Sequence, residues 1–253
     1  MHRNSIRTEP LMKQLPEVTK NLLIINALVF LASYVAEARY NVDINGLLGL
    51  HYFSSEKFHP YQFFTYMFMH STFEHLFFNM FAVWMFGRVL ENVWGGGRFL
   101  FYYLVCGVGA GLVQEAAQYF EFMPLMNNLK ALSALPSSEM VPIDGVTHTA
   151  AQWITMHKAV LDISTVGASG AVYGILLAFG MLFPNQQLFF IPIPVPIKAK
   201  WLIIGYFALE LVLALVAKGD GVAHIAHLGG MIFGFLLILY WRKHTPNNGY
   251  FGR

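Results

Sequence analysis

Six apolar runs separated by polar connections set the layout of this chain: Leu22 to Ala38, Thr72 to Leu90, Phe99 to Tyr119, Ala168 to Phe183, Trp201 to Ala217 and Val222 to Trp241. Each is close to the roughly 20 residues that a helix needs to cross about 30 Å of hydrocarbon. The pattern predicts an all-α, polytopic membrane protein: a bundle of six transmembrane helices. The first run follows Lys20 and ends at Val35-Ala36-Glu37-Ala38, which imitates a cleavable signal peptide. With five runs after it, it reads as an uncleaved anchor. Residues 1–20 then form a cytoplasmic tail, 21–242 the membrane domain and 243–253 a second cytoplasmic tail. An extracytoplasmic loop covers about 120–165, with Pro136-Ser137-Ser138 exposed, and Pro192, Pro194 and Pro196 read as a stiff connector before the fifth helix.

Composition agrees with that layout. Charged residues make up 12% of the 253 residues and apolar ones 56%, against about a quarter charged in an ordinary soluble domain. A mean hydropathy of +0.51 is more apolar surface than one globular core can hide. A net charge of +2 without a basic stripe excludes nucleic acid as a partner. The single Cys106 allows no internal disulfide and reads as a small core residue. Arg3, Arg7, Lys13, Lys20, Arg88, Arg98, Lys198, Lys200, Arg242, Lys243 and Arg253 fall in the tails and even-numbered loops. Only Arg39, Lys57, Lys130, Lys158 and Lys218 fall in the others. Eleven against five places both termini in the cytoplasm.

Polar residues then become informative by depth. Ser169 lies fifteen residues before Pro184, and His227 fifteen before Arg242. At about 1.5 Å per residue both sit about 8 Å below the outer face of a 30 Å core. His75, thirteen residues above Arg88, is at a similar level, and Asn79 is one turn below it on the same face. Ser71-Thr72-Phe73-Glu74 fits a capping box with Ser71 as N-cap. Gly170 with Gly174, and Gly230 with Gly234, are small-xxx-small pairs that let helices four and six approach closely, while Gly107, Gly109 and Gly111 read as packing positions on helix three. Tyr173 shares a face with Ser169, where its ring can support an imidazole.

These residue types suit acyl transfer. A serine hydroxyl needs a base to take its proton, and a neutral imidazole is tuned for that near pH 7. Ser169 and His227 can form such a dyad, with Asn79, His75 and the Ser169 backbone N–H as oxyanion donors. No acidic residue stands at an obvious third position. Glu210, inside the fifth run, is an ionisable group at membrane depth. It can pair with His224 or make a structural interhelical bond, and stays outside the catalytic set.

In these elements the chain resembles the rhomboid family of intramembrane serine proteases. His75-Leu76-Phe77-Phe78-Asn79 resembles the family's H-x-x-x-N, Gly167-Ala168-Ser169-Gly170 its G-x-S-G, and Ala226-His227-Leu228-Gly229-Gly230 with Gly234 its A-H-x-x-G-x-x-x-G. The resemblance runs from about Pro60 to Tyr240 and implies a bacterial-type six-helix bundle in the cytoplasmic membrane. It implies Ser169 as nucleophile, His227 as base, and His75 and Asn79 as oxyanion side chains. Tyr173 is implied to stack on the histidine, and His70 to tether a loop. The aromatic stretch Tyr52 to Phe68 is similar to a loop lying partly in the outer leaflet, and Glu91 to an acidic residue at the inner end of helix two. Implied substrates are membrane proteins with one helix that unwinds near the outer face, cut after a small residue. Helix five and the Lys218 to Gly221 turn are the implied mobile side. No cofactor is expected.

Other chemistries fit less well. No histidine is followed by glutamate, as a zinc H-E-x-x-H motif requires. His224 and His227 as an i, i+3 metal pair are set aside, and no metal is expected. An aspartyl mechanism needs two membrane aspartates, whereas Asp43, Asp144, Asp162 and Asp220 all fall in loops. His224 is a rival base that lacks the glycines three and seven residues on that follow His227. The alternative function is a non-catalytic rhomboid-like pseudoprotease that binds or escorts membrane proteins; such members typically lose the serine or histidine, and both are present here.

Overall fold

A computed structural model describes residues 15–190, 193–216 and 223–244. Helix α1 (Glu17–Tyr40) begins without a side-chain cap of its own. Its first turn is satisfied from outside: the buried Glu91 carboxylate accepts from the backbone N–H of Val18 at 2.9 Å and of Thr19 at 2.7 Å, and from the Thr19 hydroxyl at 2.7 Å. A negative group there also meets the positive end of the helix dipole.

The aromatic connection after α1 is a folded segment, with short helices α2 (Ile44–Leu48) and α3 (Gln62–Thr65) and a 3-10 turn at Tyr66–Phe68. Gln62 organises it. Its Oε1 accepts from His51 and His59, and its Nε2 donates to the Leu47 and Lys57 carbonyls. Tyr66 donates its hydroxyl to the Gly107 carbonyl at 2.6 Å, and the Phe53 N–H reaches Glu115 at 2.9 Å. Phe53, Tyr61 and Phe64 remain exposed.

The second apolar run is α4 (Phe73–Ala82), a π turn at Val83–Gly87, and α5 (Arg88–Trp94). The third is α6 (Gly96–Leu132), whose 37 residues span about 55 Å. It therefore continues well past Tyr119 and takes up the first part of the expected loop. The rest of that stretch is also structured. Strands β1 (Met140–Ile143) and β2 (Val146–Thr149) pair antiparallel around Asp144 and Gly145, both at positive φ, as a two-residue hairpin turn requires. Helix α7 (Ala150–Leu161) follows from a Thr149/Gln152 capping box. Ser55 and Lys57 hold Asp162, and Glu56 holds Lys158, so this outgrowth is tied to the aromatic segment. The Pro136-Ser137-Ser138 part is exposed and irregular, as expected.

Helix α8 (Ser169–Leu182) leads to strands β3 (Gln187–Phe190) and β4 (Ile193–Lys198), then α9 (Ala199–Val216) and α10 (His224–His244). Pro194 and Pro196 thus lie on a strand of an antiparallel pair rather than in an irregular connector. Prolines two residues apart point to the same edge of a strand, so Pro194 and Pro196 can leave the paired edge intact. Pro192, Asp220, the Lys218 to Gly221 turn, most of the 1–20 tail and all of the C-terminal tail except Lys243 and His244 lie outside the described residues. So do Arg3, Arg7, Lys13 and Arg253.

The molecule is a helical, polytopic membrane bundle. By length and composition α1, α6, α9 and α10 can each cross a membrane, while α8 is a shorter apolar helix and the second run is segmented. Helices α6, α8 and α10 pack together as the core, and α9 flanks α8 and α10. A Cβ on Gly230 would collide with the Gly170 backbone, and one on Gly174 would meet Cys106 at 2.5 Å. The close α8–α10 approach needs Gly230 against Gly170, while Gly174 chiefly makes room for Cys106 of α6. Gly234 instead faces Tyr102 of α6, so the second glycine of that pair serves a different contact from the expected one. Cys106 is a buried core residue between them.

Candidate active site

Ser169 is the first residue of α8 and His227 the fourth of α10. The Gly170–Gly230 contact brings these two helix starts together, leaving Ser169 Oγ 2.8 Å from His227 Nε2. One turn on, Tyr173 lays its ring on the imidazole, with centroids 4.3 Å apart and planes 14° from parallel. The chain enters α8 through Gly167 at φ +131, a conformation that side-chain-bearing residues rarely adopt. A Cβ there would also meet His75 Nε2 at 2.7 Å. Gly167 therefore permits both the sharp entry and the approach of α4.

Helix α4 contributes His75 and Asn79. Its N-cap is Thr72, whose hydroxyl accepts from the His75 N–H at 3.1 Å, so the expected Ser71/Glu74 capping box does not form. Ser71 Oγ lies 3.3 Å from His75 Nδ1 and steadies the ring. We expect Thr72→Ala to cost about 0.5 to 2 kcal/mol of stability and Ser71→Ala little, which thermal unfolding in detergent will read. Asn79 is buried, and its amide nitrogen has no partner among the described residues. A buried donor without an acceptor costs about 1 to 3 kcal/mol, so its placement there is not explained by stability. His70 is buried against His75, with ring centroids 5.0 Å apart, and its carbonyl accepts from Asn45 at 3.3 Å.

The structure places an acidic group here that the sequence reading left out. Glu210 on α9 is buried and accepts from the Tyr173 hydroxyl. Its Oε2 lies 2.7 Å from His224 Nδ1 and 3.0 Å from His227 Nδ1, the latter off the line of a well-formed hydrogen bond. His224, the rival base, thus faces Glu210, while His227 faces Ser169. The pairing with His224 is one of the two expected from a glutamate inside an apolar helix; the approach to His227 and the bond from Tyr173 are what the sequence left unread. Glu210, His224 and His227 offer ligand atoms within 4.8 Å of one another, a donor set that also suits zinc. Of these, His224 Nδ1 and Glu210 Oε2 are hydrogen-bonded to each other.

Chemically, the arrangement presents a hydroxyl to an imidazole nitrogen. When Nε2 accepts from Ser169, the neutral ring carries its proton on Nδ1, toward Glu210. Beside Ser169 lie the start of α8 with its unpaired N–H groups, His75, and α4 with the unsatisfied Asn79 amide.

A protein-family model described as the Rhomboid domain matches residues 57–122 and 138–244. Among curated proteins, the chain is 25% identical over 236 residues to Rhomboid-like protein 11, chloroplastic, of Arabidopsis thaliana, covering 86% of this chain. It is 27% identical over 174 residues to Rhomboid protease AarA of Providencia stuartii, covering 68%. It is 26% identical over 176 residues to Rhomboid protein 1, mitochondrial, of Saccharomyces cerevisiae, covering 70%. The matches span 62%, 52% and 40% of those proteins' own lengths.

Proposed function

The chain belongs to the rhomboid family, and on that basis we propose that it is an intramembrane serine endopeptidase that cuts transmembrane segments of other membrane proteins. The observation that carries this reading is the 2.8 Å approach of Ser169 Oγ to His227 Nε2. Ser169 attacks the substrate carbonyl carbon as its proton passes to His227. The oxyanion that forms is met by Asn79, His75 and the Ser169 N–H. His227 returns the proton to the departing amine, leaving an acyl-enzyme. Water, deprotonated by His227, then attacks the ester, releasing the second product as its acid and returning the proton to Ser169. Tyr173 supports the imidazole by stacking, and Gly167, Gly170, Gly230 and Gly234 allow the close approaches that the site requires.

The count of basic residues favours both termini on the cytoplasmic side, with the site toward the outer face. Scission then occurs near that face, after a small residue of a helix that can locally unwind. A fluorophosphonate is expected to label wild-type protein at Ser169 and to stop cleavage of a model transmembrane substrate, while EDTA leaves cleavage unchanged. A folded protein that binds such a substrate without labelling or cleaving it would make the chain a pseudoprotease.

A further inference from the structure

Helix α9 is the most loosely held of the long helices around the site. Of its described residues only Ala199, Ile203 and Glu210 are buried. Ala199 and Ile203 lie in its first five positions, and Ile203 packs on Gly180. Near the catalytic level the neighbours Leu209, Leu211 and Val212 are about half exposed; Glu210 is the one buried residue there, helped by the half-buried Tyr206, whose ring stands edge-on to Tyr173. This is an expensive anchor. An ionisable group at membrane depth must be desolvated, and a leucine would make the same contact without that cost. Its surroundings offset part of it: the carboxylate meets Tyr173, His224 and His227 at once, and two of these three rings are already part of the site.

Resting on the serine-protease reading, we propose that Glu210 is a positioning residue for His227, and that α9 must be docked for it to act. The carboxylate fixes the tautomer with its proton on Nδ1, so that Nε2 is free to accept from Ser169. It also stabilises the imidazolium that forms when that proton arrives. The 3.0 Å contact tightens at that moment, since an Nδ1–H on a charged ring is the stronger donor. Tyr173 completes the arrangement by holding the other carboxylate oxygen while its ring lies on His227. The dyad therefore becomes a triad whose third member comes from a different, weakly packed helix. Outward displacement of α9 by a few ångströms removes the carboxylate from the imidazole, so opening that side of the bundle also lowers catalytic competence.

The test compares Glu210→Gln, Glu210→Leu and Glu210→Asp with wild type in detergent. It measures kcat and KM for a transmembrane substrate, corrected for the fraction folded. Glu210→Gln should lower kcat at least about 10-fold with KM nearly unchanged; the ceiling is the roughly 10⁴-fold loss when a serine protease triad loses its carboxylate. Glu210→Leu should match that loss per folded molecule; it unfolds earlier than wild type, because the Tyr173 hydroxyl and His224 lose their buried acceptor. Glu210→Asp should recover part of kcat. A disulfide between α8 and α9 that holds α9 docked should leave the kcat of a short soluble peptide intact. Normal kcat per folded molecule in Glu210→Gln and Glu210→Leu, in an enzyme whose wild type cleaves, would overturn the proposal and leave the dyad standing. Wild-type activity lost in EDTA and restored by zinc would overturn it differently, by making Glu210, His224 and His227 metal ligands. A wild type that neither labels nor cleaves would remove the serine-protease reading itself, and this proposal with it.

Discussion

Ser169→Ala and His227→Ala are each expected to abolish cleavage of a model transmembrane substrate while the protein stays folded in detergent. Ser169 Oγ is the attacking atom and His227 Nε2, 2.8 Å away, is the acceptor of its proton. Neither has a function without the other, so the double variant should be no worse than either single one. Subtraction of two independent effects would instead give a multiplied loss. Steady-state turnover and thermal unfolding of the three variants decide the point, and cleavage retained by either single variant would end the dyad reading. His224→Ala is the internal control. His224 faces Glu210 rather than Ser169, so its loss should leave substantial turnover. If His224→Ala alone were inactive and His227→Ala active, the base would be reassigned.

Asn79→Ala and His75→Ala should each reduce kcat by about 10² to 10³, the usual effect of removing one donor from a preorganised oxyanion hole. The effect on KM should be small, because the charge that these donors meet exists only in the transition state. The structure adds an asymmetry. Asn79 has a buried amide nitrogen without a partner, so Asn79→Ala removes an unsatisfied group and should not destabilise the fold through a lost bond. His75 is held by Ser71 and packs on His70, so its removal also loosens local packing. If both variants unfolded early but turned over normally per folded molecule, the two side chains would be interhelical glue, and the site would shrink to Ser169, His227 and whatever supports them.

Several parts of the fold carry a local signal that the hydropathy pattern conceals. Asp144-Gly145 is a two-residue hairpin signal, and Thr149 followed by Gln152 is a capping box. Both lie in a stretch read as loop because its hydropathy falls. The π turn at Val83–Gly87 leaves no such trace. The cap of α4 moved by one residue, from Ser71 to Thr72, because adjacent hydroxyls are nearly equal as caps and the competing contact of Ser71 with His75 is tertiary.

What the sequence determined by itself is everything that depends on period, depth and residue type along one helix. The apolar runs, the shared level of Ser169, His227 and His75, the Asn79 position below His75 and the glycines at the crossing all follow from rise per residue and from the chemistry of single side chains. Tertiary structure decided what depends on rotation between helices. Gly234 could have faced α8 or α6, and packing turned it to Tyr102. Glu210 is the one acidic position on a helix that is apolar apart from Lys200 in its first turn and Tyr206, so nothing along α9 showed that it would reach His227 as well as His224. Only the docking of α9 against α8 and α10 put its carboxylate among Tyr173, His224 and His227, because the low-dielectric interior leaves a buried charge stable only where several donors converge.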